Sequence, residues 1–258
     1  MKRLFLLLAL VGMIATSCEE SGIDKPSAIC ADNEIKYTTK YGYPIELNEE
    51  EGFGGTLMSH TYEGEYGVLT FDNDVKCIPV GAFMDCDTIT SIILPESLES
   101  IESNAFNSCN ALTSITIPES VTTIGDYAFS GCSSLTSVTI GDGVTTIGND
   151  AFKYCSSLTS VTIPDSVTSI GEKAFYDCDS LTSVTIPDSV TSIGDLAFTN
   201  CSSLERVYCG ATTPPKNSWF AFHYNASGRK IYVPAESVQA YRRADGWMDY
   251  ASDIVGYF

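Results

Sequence analysis

Ten cysteines and two histidines are the side chains of this sequence with the most chemistry to offer. Thiolates and imidazoles bind metals, attack carbonyls and carry redox change, so their spacing is informative first. Six of the thiols, Cys86, Cys109, Cys132, Cys155, Cys178 and Cys201, stand 23 residues apart. That step is a structural period and not a ligand spacing. No CxxC pair occurs, nor any GxSxG, HExxH or glycine-rich phosphate loop. Side chains at equivalent places of successive repeats point the same way, whereas a disulfide needs Cβ vectors that face each other. The six are therefore expected to be small buried hydrophobes with a weak S–H donor. Cys209 takes the place that Ile186 holds one repeat earlier and is also expected in the core. Cys30 and Cys77 are irregular, and a bridge between them stays open. His60 and His223 have no acid or nucleophile at a recognisable motif spacing. No catalytic residue, metal site or cofactor is expected.

The elements that carry these columns follow from the same period. Phe83, Phe106, Phe129, Phe152, Phe175 and Phe198 keep the 23-residue step, as do Ile89, Leu112, Leu135, Leu158, Leu181 and Leu204. The clearest unit is LTSVTIPDSVTSIGEKAFYDCDS, residues 158–180. Val161-Thr162-Ile163 alternates apolar and polar among β-branched residues, which predicts a strand. Pro164 ends it, because proline cannot donate to a central ladder. Val167 and Ile170 return to the interior, Gly171 permits a tight bend, and Ala174-Phe175 is expected in a short helical turn. One turn of chain thus exposes strand edges that only a neighbouring turn can satisfy. The fold class expected is a β-rich α/β solenoid. Its 23-residue repeats form a curved parallel sheet, with short helical or 3-10 turns on the convex side.

Within each strand the residues alternating with the apolar ones face outward. Two hydroxyl rows result, Ser137, Ser160, Ser183 and Thr139, Thr162, Thr185, which are also good strand formers on a solvated face. Their C-terminal continuation changes character: Arg206 and Tyr208 replace hydroxyls, with Glu205 alongside. Arginine and tyrosine are typical anchors of binding surfaces, so the two hydroxyl rows together with Glu205, Arg206 and Tyr208 form the candidate partner-binding face, with its hot spot at this end. An acidic column, Glu96, Glu119, Asp142, Asp165 and Asp188, follows the strand-ending position and reads as a solubilising edge.

The whole chain of 258 residues carries 33 acids against 14 bases, a net charge of -19. Such a charge repels phosphate backbones and argues against nucleic acid as a partner. The unit LxxVxIPxxVxxIGxxAFxxC resembles the BspA-like branch of the leucine-rich repeats over residues 66–209. Residues 33–66 are similar to that family's N-terminal β-hairpin cap. Residues 231–258 resemble its C-terminal cap, within a repeat-and-aromatic segment 210–258. At the start, Lys2 and Arg3 precede an apolar run from Leu4 to Ile14, too short to span a bilayer comfortably. Ala15-Thr16-Ser17 before Cys18 resembles the bacterial lipobox. That resemblance implies a signal peptide over 1–17, lipid on Cys18 and a tether over 18–32. It also implies an outer-membrane lipoprotein of a Gram-negative bacterium, exposed at the cell surface. What the family resemblance implies is a secreted or surface-attached, adhesin-like binding protein; with no catalytic motif in the sequence, the expectation is a non-catalytic monomer that binds host or microbial proteins, with glycans second. The alternative is a structural or accessory envelope protein without a dedicated ligand.

Overall fold

A computed structural model of the chain describes residues 30–217 and 220–257. The segment that holds Cys18, the signal-peptide reading and most of the tether lies outside the described residues. The 23-residue unit closes into one storey of a β-solenoid, and the storeys stack in strict register: Ser160, Val161 and Thr162 pair with Ser183, Val184 and Thr185, and on the other side with Ser137, Val138 and Thr139. The resulting wide sheet has eleven strands. Its repeat strands, from Ile89–Ile93 to Arg206–Cys209, run parallel and continue into Lys230–Pro234 and Ile254–Tyr257.

A second sheet was not foreseen from sequence. Seven two-residue strands, among them Thr146–Ile147, Ser169–Ile170 and Ser192–Ile193, form a narrow parallel ladder beside the first. It arises because Val167 and Ile170 both turn inward and leave the backbone between them free to pair with the next storey. Glycine sets how closely the storeys approach there. A Cβ at Gly171 would lie 2.6 Å from backbone atoms of Gly148 and Asn149 in the storey before.

The segment around each phenylalanine is a pair of hydrogen-bonded turns where a helical turn was expected. Two residues per storey adopt the left-handed conformation, one two places before the phenylalanine and one two places after. Asp150 and Tyr154 are such a pair, with φ of 53° and 60°. For residues other than glycine this costs about 1–2 kcal/mol each. It is offset by three backbone bonds to the following storey: Asp150 to Glu172 at 2.7 Å, Phe152 to Ala174 at 2.7 Å and Tyr154 to Tyr176 at 2.8 Å. Among the described residues the only α-helix is Val238–Arg243, which covers the C-terminal end together with the fully buried Trp247 and Tyr241.

At the N-terminal end the chain closes with antiparallel strands. Tyr66–Phe71 pairs with Leu57–Glu63 on one side and Glu34–Thr39 on the other, and Glu34–Thr39 then joins Ile89–Ile93. Leu69 and Phe71, which echo the repeat in sequence, point inward on a strand that runs in the same direction as the repeat strands, but the reversed strand Glu34–Thr39 is inserted between it and Ile89–Ile93. The antiparallel cap therefore runs through Phe71.

The interior is built of columns. Phe83, Phe106, Phe129, Phe152, Phe175 and Phe198 are fully buried. Their rings stack face to face with centroids 5.0–5.2 Å apart, and Phe222 continues the pile at 5.5 Å. The thiols of Cys109, Cys132, Cys155, Cys178 and Cys201 are buried and unbridged. Each donates to the carbonyl of a phenylalanine in the preceding storey, at 3.1–3.3 Å. Cys86 departs from the column, because no repeat phenylalanine lies below it; it is half-buried and points at the Glu46 carbonyl. Cys30 and Cys77 are both free thiols, held near the Glu34 carbonyl and the Glu102 carboxylate, so the bridge left open between them does not form.

Burial pushes the Cys155 and Cys178 thiols well above the ordinary thiol range. Only the thiolate alkylates. Cys155 and Cys178 of the folded protein are therefore expected to resist iodoacetamide near neutral pH and to react once guanidinium unfolds the chain. Mass spectrometry that found them alkylated in the native state would contradict the ladder.

Candidate binding face

The wide sheet presents Ser137, Thr139, Ser160, Thr162 and Thr185 exposed and Ser183 half-buried, all on one face. The parallel register brings the two predicted rows together as straight lines across neighbouring strands. The threonines just ahead of these strands are taken up by the fold: the Thr136, Thr159 and Thr182 hydroxyls each donate to the backbone carbonyl one storey before, at 3.0–3.5 Å.

At the C-terminal end the rows change chemistry. Arg206 pairs in register with Lys230, and Tyr208 with Tyr232. The two tyrosine rings stack with centroids 4.9 Å apart and 16° between planes. Glu205 and Arg206 form an exposed ion pair at 3.3 Å, a contact worth little to stability. Near its C-terminal end the face thus carries two cations, a stacked aromatic pair and one carboxylate, with one further strand, Ile254–Tyr257, beyond them. Sequence reasoning missed Lys230 and Tyr232. They stand 24 residues after Arg206 and Tyr208: Ile231 and Val233 match Val207 and Cys209 with one residue inserted, but the outward rows follow the strict 23-residue step and stop at Arg206 and Tyr208.

The remaining candidates have structural roles. His60 bonds the Tyr37 hydroxyl, and burial holds its pKa below the usual imidazole value. The His223 imidazole meets the Tyr250 hydroxyl at 2.9 Å in the C-terminal cap. Arg229, also in that cap, is buried against Asp253 at 2.6 Å. The acidic column from Glu96 to Asp188 is exposed. Among the described residues no cluster of histidine, cysteine and carboxylate could hold a metal ion. None of their helices is long and apolar enough to cross a membrane.

Residues 65–168 and 122–242, together more than half of the chain, match the BspA type leucine rich repeat region in six copies. The chain belongs to the BspA-type leucine-rich repeat family. Scaffolds of this family are typically non-catalytic, and leucine-rich repeats commonly mediate protein interactions. Among solved structures, a leucine-rich repeat protein from Bacteroides ovatus shares 28% identity over 75% of this BspA-type chain and 58% of its own, with a TM-score of 0.56. The leucine rich repeat protein of T. pallidum shares 35% identity over 46% of this chain and 58% of its own, with a TM-score of 0.46. A leucine rich cell surface protein from Faecalibacterium prausnitzii shares 24% identity over 84% of this chain and 73% of its own, with a TM-score of 0.43. The chain thus spans 58% of the length of each of the first two. No curated protein matches it.

Proposed function

We propose that this BspA-type chain is a lipid-anchored binding protein of the outer-membrane surface, held by Cys18 and acting as a monomer without catalysis. Its ligand is a protein of the host or of another microbe. The observation that carries the reading is the break in the wide-sheet rows. Several storeys repeat serine and threonine, and then Arg206, Lys230, Tyr208 and Tyr232 appear side by side at one end. Arginine and tyrosine concentrate binding energy where they cluster on a fixed frame. The acidic body favours ligands with basic patches and makes association salt-sensitive. Many copies on one membrane add avidity to a modest single contact.

Two measurements on the same strain test this. An antibody to the chain should label intact cells, and Cys18→Ala should move the protein from the membrane to the soluble fraction; unchanged membrane association defeats the anchor. The purified chain should bind at least one member of a panel of extracellular matrix proteins. Arg206→Ser with Tyr208→Thr, which restores the hydroxyl rows, should weaken that binding about tenfold or more, the scale of losing a hot spot. Undiminished affinity in the double variant would remove the sheet end from the site.

A further inference from the structure

Within residues 89–203 the positions that vary most between storeys lie on the turns around the phenylalanines and not on the sheet face. Across the five copies in residues 89–203, three positions carry a different residue type in every copy: two before, one after and two after the phenylalanine. No other position of the repeat does. In repeat proteins the differences between units often map to the binding face, and here they sit on the turns. All three tyrosines and both lysines of residues 77–205 occupy these positions, on three adjacent storeys: Tyr127, then Lys153 and Tyr154, then Lys173 and Tyr176. Large hydrophobic side chains are exposed on the same turns. Val80, Met84, Tyr127, Tyr154, Phe220 and Tyr224 are six of the ten such side chains among the described residues.

The patch is already fixed without a partner. Tyr154 and Tyr176 meet edge to face, with centroids 6.1 Å apart. Lys153 fills the corner, its ammonium 5.0 Å from one ring centroid and 5.8 Å from the other. It is anchored at 2.9 Å by the buried Asp150 carboxylate. The Asn200 amide donates to the Tyr176 hydroxyl at 3.0 Å. Lys173 is paired with Glu172. Each lysine is thus paired with a neighbouring carboxylate, and with Asp177 on the same turn the patch carries no excess positive charge.

From this arrangement we propose that the turn face around Tyr154 and Tyr176 binds an uncharged polysaccharide. Charge selects that partner. An anionic chain is repelled by the body, and a basic protein is drawn to the bare acidic column. What the patch offers is half-exposed aromatic rings for the C–H faces of a sugar, with the tyrosine hydroxyls and the partly exposed Lys173–Glu172 pair beside them for its hydroxyls. Groups held in place beforehand lose little entropy on binding. The site is separate from the end of the wide sheet, and each can fail without the other.

The test is native gel electrophoresis of the full chain through soluble starch, α-mannan or xylan, with anionic polygalacturonate run beside them. The protein should be retarded by at least one of the three. Tyr154→Ser with Tyr176→Thr places residues that the same positions carry in other storeys, Ser108 and Thr199, so the fold is kept; a melting curve checks it. This double variant should lose affinity about tenfold or more, and Tyr127→Asn, the residue of Asn104, should weaken it less. The Arg206→Ser, Tyr208→Thr protein should be retarded like wild type. Migration unaffected by all three polymers overturns the proposal, as does retardation only by anionic polygalacturonate, an unchanged Tyr154/Tyr176 variant, or loss in the sheet variant instead.

Discussion

Phe152→Ala is expected to destabilise the protein by about 3–5 kcal/mol, the range for deleting a fully buried ring. Phe152 is the middle of a pile. Its ring lies 5.2 Å from Phe129 below and 5.2 Å from Phe175 above, within 7° of parallel in both directions. Removing it takes away both contacts and leaves a void that neighbours cannot fill. Each storey is held from two sides by backbone bonds such as Phe152 to Ala174 and Phe129 to Ala151, both 2.7 Å. Those ladders stop the storeys from closing the gap. A storey contacts only its neighbours, so the loss falls at the centre of the array and lowers the cooperativity of unfolding as well as its midpoint. Chemical denaturation followed by circular dichroism measures both. A Phe152→Ala protein with the wild-type midpoint and slope would refute a core built of stacked rings.

Gly171→Ala is the second large effect, expected to cost about 1–3 kcal/mol from the addition of a single methyl group. Overpacking is usually relieved by a side chain swinging aside, and none is available here. The new Cβ would meet the Gly148 carbonyl carbon and oxygen and the Asn149 nitrogen, each at 2.6 Å. These are backbone atoms of a storey fixed by the Gly171 N–H bond to Ile147 at 2.9 Å and the Glu172 N–H bond to the Asn149 side chain at 2.8 Å. Opening the gap breaks those bonds; keeping them keeps the clash. Gly148 and Gly194 meet the same obstruction, with Cβ approaches of 2.6 and 2.4 Å. Glu102 occupies this position in an early storey and shows what the terminal end tolerates. Thermal melting of Gly171→Ala beside Ser169→Ala, a neighbour of similar size without the clash, separates crowding from a general effect of substitution. Equal melting temperatures for the two variants would show that the narrow sheet is not held this tightly.

Much of the fold was legible because a repeat makes every position speak several times. One phenylalanine at residue 152 is an apolar residue; six at a constant step are a column, and a column in a chain of separate turns can only be an interior. The same logic gave the free thiols, since side chains stacked in parallel cannot face one another. It also gave the two hydroxyl rows and the place where they break. It failed where the period slips. Lys230 and Tyr232 complete the sheet end, yet the additional residue before them hides them from a strict step.

What the sequence determined by itself was therefore which residues are equivalent, and from their equivalence which are inside. Equivalence says nothing of how the chain turns between two inward columns. The narrow second sheet, the paired left-handed residues beside each phenylalanine and the reversed strand of the N-terminal cap were decided only by the tertiary structure. So was the meeting of Tyr154, Tyr176 and Lys153 in one corner. Each of these depends on backbone groups of one storey finding partners in the next. That choice is made by the geometry of stacking and not by the preference of any local stretch of residues.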